Sequence, residues 1–375
     1  MHALKRFGTA FGGYKMMENY PVPECGPDDI ILEIKAAAIC GADMKHWGVD
    51  NGYDDTNITP DQQQSVRGHS KYPIITGHEF AGEIVKVGEN VKDWHIGQRV
   101  VSDNSAHVCG VCPACEQGDF LCCEHKVNLG LDNNTWGGGF SKYCKVPGEI
   151  LAIHKHAIWE IPEGIKYEEA CVLDPICNAY KAVAQQSHLI PGQDVVVFGT
   201  GPLGLFSVQV AKLMGAVNIV MVGLDDDVKV RFGVAKELGA THCVNGSKED
   251  VVARCTEICG RDNLGLVIEC SGANIALKQA IEMTRPNAEI VRVGMGFKPL
   301  EFSINDITAW NKSIIGHMAY DSTSWRNCIR LLQSGQIKVQ PMITHRLGLS
   351  QWQEGFDKMA KKEAIKVIFH YDYED

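Results

Sequence analysis

Hydrophobic and polar positions follow two different rhythms in this chain. Up to about residue 155, short apolar or alternating runs are broken by glycine and proline, which predicts strands at 30–38, 81–88 and 99–101. Farther along, runs with strand character alternate with runs of helical spacing. Strands are predicted at 194–198, 218–222, 264–269 and 289–293, and helices at 203–214 and 228–238. This alternation predicts an α/β fold with a doubly wound parallel sheet.

The last part of the chain returns to the rhythm of the first. After about residue 305, polar and apolar segments mix again, and 366–369 has the pattern of a closing strand. We therefore predict two domains. One is a β-rich domain from residues 1–160 and 306–375, and the other is a dinucleotide-binding domain from residues 161–305.

Bulk composition narrows the classes of function. The chain has 375 residues, enough for two or three domains with cores of their own. Its net charge of −10 and the lack of a basic stretch argue against a nucleic-acid partner. We see no signal peptide and no run that would span a bilayer, so we expect a cytoplasmic protein without a membrane partner. Fifteen cysteines in such a chain indicate thiolate metal ligands rather than disulfides.

Four cysteines lie close together in a polar segment, at about residues 105–125. They are Cys109, Cys112, Cys115 and Cys123. Three thiols two residues apart, with a fourth one loop away, have the spacing of a tetrahedral Zn²⁺ site. Four protein ligands leave no place for a substrate, so this spacing predicts a structural zinc. We interpret the additional thiol of Cys122 as a bystander.

A glycine-rich loop follows the predicted strand 194–198 and opens the next helix. Gly199 permits a tight turn, Gly201 lets the backbone approach a pyrophosphate, and Gly204 lets helix and strand pack closely. Pro202 and Leu203 begin the helix, whose N-terminal N–H groups favour phosphate.

The residues after the second parallel strand bear on the choice of dinucleotide. Three carboxylates, beginning at Asp225, should repel a 2′-phosphate, so we predict NAD as the cofactor and Asp225 as a cofactor-binding residue. The strand itself ends near Gly223, which leaves NADP open.

A second metal site is indicated by three residues of different types. Cys40 and His78 follow strand-like segments, and Asp174 precedes the dinucleotide-binding domain. A thiolate, an imidazole and a carboxylate would hold Zn²⁺ and leave a fourth position open, as catalysis requires. Spacing alone does not join these three residues.

The chain resembles the zinc-dependent medium-chain alcohol and polyol dehydrogenases, including the sorbitol, tetritol, inositol and threonine dehydrogenase types. The resemblance covers essentially the whole chain. Its motifs lie at 77–79, 109–123, 137–143, 174–175, 199–204 and 267–272. It implies a GroES-like catalytic domain, a Rossmann domain inserted before the last segment, a site in the cleft between them, and a homodimer or homotetramer.

The resemblance also implies roles for individual residues. Those matching Cys40 and His78 bind the catalytic zinc, and Glu79 is an outer or alternate ligand. Asp174 stands where the family commonly has glutamate. We interpret Asp43 as a group that orients the ligands. Zinc is expected to polarise a substrate hydroxyl while hydride passes from carbon to the nicotinamide.

The chain departs from the family pattern where the hydroxyl proton leaves. Many members have serine or threonine where this chain has Ala42, and alanine cannot relay a proton. We hypothesise that His46 takes the proton; the alternative is that His46 only lines the cleft. The polar segment 49–72 has no periodicity and predicts an exposed loop.

We therefore expect an NAD- and zinc-dependent enzyme that oxidises a secondary alcohol of a polyol or sugar derivative to a ketone. One alternative is L-threonine 3-dehydrogenase-like oxidation of an amino alcohol. Another is a catalytically silent protein that kept zinc and NAD binding. The silent protein would hold only the structural zinc, whereas the enzyme would hold two zinc ions per chain.

Overall fold

Residues 1–7, 13–44, 74–132, 136–296 and 298–374 are described in a computed structural model of the chain. The predicted loop 49–72 and His46 lie outside these residues. The chain forms two units, one of residues 1–174 and 343–375 and the other of residues 175–342.

In the described residues up to 174, the regular elements are mainly strands. They are β1 (Ala3–Arg6), β2 (Tyr14–Met17), β3 (Ile30–Ala38), β4 (Ile74–Ile75), β5 (Glu79–Val87), β6 (Arg99–Ser102), β7 (Ser105–His107), β8 (Val127–Asn128), β9 (Tyr143–Val146) and β10 (Ile158–Glu160). The described helices are short: α1 (Gly41–Met44), α2 (Pro113–Glu116), α3 (Gly148–Ile153), α4 (Tyr167–Ala170) and the beginning of α5 (Leu173–Tyr180). Single-turn 3₁₀ segments such as Phe120–Cys122 connect some of them.

The second unit alternates strands and helices. Its strands are β11 (Val195–Phe198), β12 (Ile219–Gly223), β13 (His242–Asn245), β14 (Leu266–Glu269), β15 (Glu289–Arg292) and β16 (Ser313–Gly316). Its helices, after α5 and the π-helical turn Lys181–Gln186, are α6 (Pro202–Leu213), α7 (Arg231–Leu238), α8 (Val251–Cys259), α9 (Asn274–Met283), α10 (Asn305–Ala309) and α11 (Ser322–Gln333). The chain then returns to the first unit with β17 (Ile343–Gly348), α12 (Trp352–Ala360) and β18 (Lys366–His370).

The two units differ in how their strands pair. Within the described residues of the first unit, the largest sheet has the order β10-β6-β5-β3-β18-β17, with β9 also paired to β3. Its pairs are antiparallel apart from β17 with β18. Described strands of the second unit form a parallel sheet in the order β13-β12-β11-β14-β15-β16. Crossover helices cover a sheet of this kind, so its central strands are apolar on both faces.

Each unit buries its own apolar core. In the first, the ring of Phe140 packs edge-on against Phe356 and Phe369, with ring centroids 6.2 and 5.4 Å apart. In the second, every residue of β11 and β14 is buried. The predicted α/β class, with a GroES-like β-rich part and a parallel-sheet part, agrees with this architecture.

The units divide later in the chain than the predicted boundaries at 160/161 and 305/306. The second unit begins at Pro175 and ends at Met342. Two contacts explain the later end: β16 pairs with β15, and the Gln209 side chain bonds the backbone of Lys338. Among the described residues, no helix is long and apolar enough to cross a bilayer.

Candidate functional site

Antiparallel pairing of β3 and β5 brings the first predicted metal ligands together. Ala38, the last residue of β3, lies opposite Glu79, the first residue of β5. Cys40 follows β3 and His78 precedes β5. Residues about forty positions apart therefore meet where β3 ends and β5 begins. Gly77, the residue before His78, has φ +87°, and a Cβ on it would lie 2.6 Å from the Phe140 ring. A side chain at position 77 would therefore displace the core beneath the site.

Cys40, His78 and Glu79 form a mixed cluster, named for its three ligand types. The Cys40 thiol, a His78 ring nitrogen and a Glu79 carboxylate oxygen lie within 4.8 Å of one another. His78 and Glu79 are buried. His78 Nδ1 and Glu79 Oε1 have no hydrogen-bond partner among the described residues. A buried polar atom without a partner is costly, so Glu79 Oε1 fits a cation that the three side chains would surround, whereas His78 Nδ1 faces Asp43.

Asp43, in the short helix α1, lies behind the mixed cluster. Its Oδ2 accepts a hydrogen bond from the backbone N–H of Cys40 at 2.9 Å, and its Oδ1 lies 3.9 Å from His78 Nδ1. The Asp43 side chain is almost fully buried. These contacts are those of a carboxylate that orients a cysteine and a histidine toward a metal.

Lys366 lies beside the mixed cluster and was missed by the sequence analysis. It is the first residue of β18, which pairs with the end of β3. Its Nζ forms an ion pair with Glu79 Oε2 and donates a hydrogen bond to the Ile39 carbonyl at 3.1 Å. Both side chains of the ion pair are only 1% exposed. A lysine within the apolar run of β18 was the available signal, since a buried lysine requires a partner.

Asp174 does not belong to the group of three that lies within 4.8 Å. Its Oδ2 accepts a hydrogen bond from the Asn104 side chain at 3.1 Å. Asn104 is buried and adopts φ +59°, a left-handed conformation that asparagine tolerates better than most residues. Asp174 as a zinc ligand stays a prediction. The contact between Asp174 and Asn104 was not predictable from the sequence around either residue.

Electrostatics at the mixed cluster favour a bound cation. Burial raises the pKa of the Cys40 thiol, and the Glu79 charge raises it further. Burial also raises the pKa of Asp43. For His78, burial by itself would lower the pKa, but the charges of Cys40, Asp43 and Asp174 outweigh it and raise the pKa to about 10. The mixed cluster thus holds more buried acidic groups than cations, and a divalent metal ion would balance their negative charge.

The four remaining predicted ligands form a thiolate cluster: Cys109, Cys112, Cys115 and Cys123. Their sulfur atoms all lie within 4.8 Å of one another, and none is in a disulfide. The Cys109 sulfur is 3.6 Å from that of Cys123 and 4.0 Å from that of Cys115. Zinc–sulfur bonds of about 2.3 Å in a tetrahedron place sulfurs about 3.8 Å apart, so the cluster fits Zn²⁺.

Local structure holds the thiolate cluster in place. Helix α2 carries Pro113 at its first turn, and Gly118 adopts φ +77° where the loop turns back. Backbone N–H groups of Cys109 and His125 point at the Cys123 sulfur, at 3.3 and 3.4 Å. Such N–H groups stabilise thiolate charge, which a metal site of four cysteines requires.

The glycine loop of the second unit fits a dinucleotide. Gly199 has φ +96°, and a Cβ on Gly204 would lie 1.8 Å from the Gly199 carbonyl oxygen, so no side chain is possible at position 204. A Cβ on Gly201 would meet no described atom within 4 Å, so its backbone borders open space. Pro202 and Leu203 then begin α6. This is the loop-to-helix geometry that receives a pyrophosphate.

Asp225, the predicted cofactor carboxylate, is engaged elsewhere. Its Oδ1 accepts a hydrogen bond from Asn245 Nδ2 at 2.7 Å and lies 3.1 Å from Lys248 Nζ. These contacts connect it to the end of β13 and the turn that follows. His46, the hypothesised proton acceptor, lies outside the described residues.

Comparison with known families matches both units. The alcohol dehydrogenase GroES-like domain matches residues 26–156, and the zinc-binding dehydrogenase domain matches residues 202–334.

Individual proteins match the chain over nearly its whole length. An uncharacterized zinc-type alcohol dehydrogenase-like protein, YdjL of Escherichia coli, is 75% identical over 100% of both chains. Sorbitol dehydrogenase of Halalkalibacterium halodurans is 29% identical over 98% of each. L-threonine 3-dehydrogenase of Mesorhizobium japonicum is 32% identical over 95% of each. Among solved structures, 2R,3R-butanediol dehydrogenase of Bacillus subtilis superposes with a TM-score of 0.81, at 28% identity over 99% of each chain.

Proposed function

The chain belongs to the zinc-containing alcohol dehydrogenase family and is an NAD(P)-dependent enzyme, and we propose that it oxidises a secondary alcohol of a polyol or sugar derivative to a ketone with NAD. The observation that carries the proposal is the mixed cluster, where a thiol, an imidazole and a carboxylate lie within 4.8 Å of one another. Sorbitol dehydrogenase among the relatives supports the polyol class.

In this proposal the mixed cluster holds the catalytic zinc and the thiolate cluster holds a structural one. Cys40 and His78 are ligands, Glu79 is an alternate ligand, and Asp174 supplies a further carboxylate. A zinc ion held there supplies Lewis-acid polarisation of a substrate hydroxyl, and NAD supplies the hydride acceptor.

The surrounding residues keep the ligands in position. Asp43 accepts a hydrogen bond from the Cys40 backbone and faces the His78 ring, so it fixes both ligands at once. Lys366 balances the charge of Glu79 and holds that carboxylate at the edge of the cluster. Asn104 holds Asp174. Orientation of this kind reduces the reorganisation needed when a substrate binds.

In this proposal the hydroxyl proton leaves without the serine or threonine that many family members have. Ala42 lies in α1, between the residues that hold the cluster, and carries no hydroxyl. We therefore keep His46 as the proposed proton acceptor. A His46→Ala enzyme that loses activity at neutral pH and recovers it at high pH would support that role, whereas unchanged activity would contradict it.

An L-threonine 3-dehydrogenase activity is the second candidate. It is favoured by the relative of that name and by the sequence from Asp174 to Ala179. An amino-acid substrate needs a cation for its carboxylate. Among the described residues, the buried cation beside the cluster is Lys366, which is already paired with Glu79, and this favours the polyol.

A substrate panel separates these candidates. Zinc-loaded protein is supplied with NAD and, in turn, tetritols, pentitols, hexitols, inositols and L-threonine, and NADH formation is followed. Turnover of a polyol but not of threonine is expected. Turnover of threonine alone would replace the polyol proposal, and no turnover with one zinc ion per chain would identify a silent relative.

A further inference from the structure

Position 223, at the end of β12, is where a dinucleotide-binding sheet usually carries the acidic residue that binds the adenosine ribose. Here it is glycine, and a side chain at this position would force its neighbours to shift. A Cβ on Gly223 would lie 2.6 Å from both Thr200 Cγ2 and Phe232 Cε1. A ribose-binding carboxylate in this chain must therefore come from another position.

Three consecutive aspartates follow β12, and the first and third, Asp225 and Asp227, have different partners. Asp225 is half exposed, and Asn245 and Lys248 both hold its carboxylate. The hydrogen bond from Asn245 and the nearby Lys248 lower its pKa. Its charge is thus directed toward the end of β13.

Asp227 turns back toward the glycine loop. The single helical turn 225–227 lets its Oδ2 accept a hydrogen bond from the Leu224 backbone at 2.8 Å. The same Oδ2 lies 3.0 Å from the position of a Cβ on Gly223, which also borders Thr200 of the glycine loop. The Asp227 carboxylate therefore lies next to the place where a short acidic side chain on residue 223 would begin.

The second oxygen of Asp227 is left without a hydrogen bond. Asp227 is 5% exposed, and its Oδ1 has no hydrogen-bond donor among the described residues. The cation facing it is Arg231, whose Nη1 lies 3.5 Å away. A buried carboxylate oxygen of this kind gains most from a donor supplied by a ligand.

We propose that Asp227 is the residue that selects NAD over NADP, by accepting a hydrogen bond from a hydroxyl of the adenosine ribose. A 2′-phosphate at the same place would meet a buried carboxylate whose charge is poorly screened. Arg231 does not reverse this preference, because its charge is already balanced by Asp227. The inference rests on the proposed function, since it takes NAD as the cofactor.

Binding of ADP-ribose and 2′-phospho-ADP-ribose, measured by calorimetry on the zinc-loaded protein, tests the proposal. Neither ligand carries the nicotinamide, and neither measurement needs an alcohol. A failed substrate panel would therefore leave this result intact. The wild-type protein is expected to prefer ADP-ribose.

Two variants with the same change in charge test whether Asp227 is responsible for the preference for ADP-ribose over 2′-phospho-ADP-ribose. Asp227→Asn keeps an acceptor for the Leu224 N–H and removes the charge, and it should reduce the preference about tenfold or more. Asp225→Asn, two residues away, should change it by less than about twofold. If Asp227→Asn does not fold, Asp227→Glu, which moves the carboxylate by one methylene, should also reduce the preference.

Two results would overturn the proposal. One is a wild-type protein that binds 2′-phospho-ADP-ribose more tightly, which would make Arg231 the dominant group. The other is an unchanged ratio of affinities in a folded Asp227 variant.

Discussion

Two clusters among the described residues of the first unit are suited to metal, and they are built in opposite ways. The thiolate cluster takes its four ligands from fifteen consecutive residues and holds them with one short helix and one glycine turn. The mixed cluster takes Cys40 and His78 from the ends of two strands, and Lys366 joins it from a third strand near the end of the chain.

The thiolate cluster can organise its own segment of chain, whereas the mixed cluster forms only when distant strands have paired. Four cysteine ligands close the thiolate cluster to substrate, so its zinc contributes stability. The mixed cluster combines three ligand types and buried charges, which is the composition of a reactive site. Loss of a ligand from the thiolate cluster should therefore lower stability, and loss of a ligand from the mixed cluster should lower activity.

The largest effect on stability is expected from Cys112→Ser. Removing one of four thiolates should release the zinc of the thiolate cluster, whose binding energy is part of the folding energy. We expect the midpoint of thermal unfolding to fall by roughly 10 °C or more, since each kcal/mol corresponds to about 2–4 °C in a unit of this size. Cys122→Ser, in the same lobe, should cost less than about 0.5 kcal/mol. Equal stability of the two variants would contradict a zinc ion bound to four cysteines.

The largest effect on turnover is expected from Cys40→Ser. Loss of a ligand from the mixed cluster should reduce kcat about a thousandfold or more, because metal polarisation contributes several kcal/mol to the transition state. The unfolding midpoint should change far less than in Cys112→Ser. Steady-state kinetics and thermal unfolding of the two variants together give the comparison. A stable, fully active Cys40→Ser enzyme would remove the mixed cluster from the mechanism.

Replacement of Lys366 should affect both the stability of the protein and its turnover. Lys366→Met leaves the buried Glu79 carboxylate without its cation, and breaking a buried ion pair costs about 3–5 kcal/mol. Burial by itself lowers the pKa of Lys366, but Glu79 outweighs it and raises the pKa, so the lysine stays charged at neutral pH. Denaturant unfolding measures the loss. Lys366→Arg should retain most of the stability; if Lys366→Met is equally stable, the ion pair is not required.

Replacement of Asn104 should have the smallest effect of this series. Asn104→Gly tolerates φ +59° and removes the amide that holds Asp174, so zinc affinity at the mixed cluster should fall about tenfold while the fold is kept. Asn104→Ala adds backbone strain of about 1 kcal/mol. Zinc competition with a chelator measures the affinity. An unchanged zinc affinity in Asn104→Gly would show that the Asn104–Asp174 hydrogen bond does not support the metal site.

The same contrast explains what the sequence could predict. The thiolate cluster and the glycine loop are local patterns, and the strands 195–198, 219–223 and 266–269 are built on continuous apolar runs, of which the last ends at Ile268. Two strands of the parallel sheet escaped prediction. Only Val244 is buried in β13, and the mostly exposed edge strand β16 has just two apolar residues, Ile314 and Ile315, so neither has a long apolar run.

Residues that depend on strand pairing or on turn geometry were not predictable. Lys366 reaches Glu79 because β18 lies beside β3, and Asn104 reaches Asp174 across seventy positions. Among three adjacent aspartates, only the direction of the turn distinguishes Asp227 from Asp225.

The most direct test of two unlike metal sites is the zinc content of the purified protein, measured by mass spectrometry for the wild type and for Cys40→Ser. The account predicts two zinc ions per chain in the wild type and one in the variant, with the thiolate cluster still filled. One zinc ion in both proteins would contradict it, because the mixed cluster would then hold no metal.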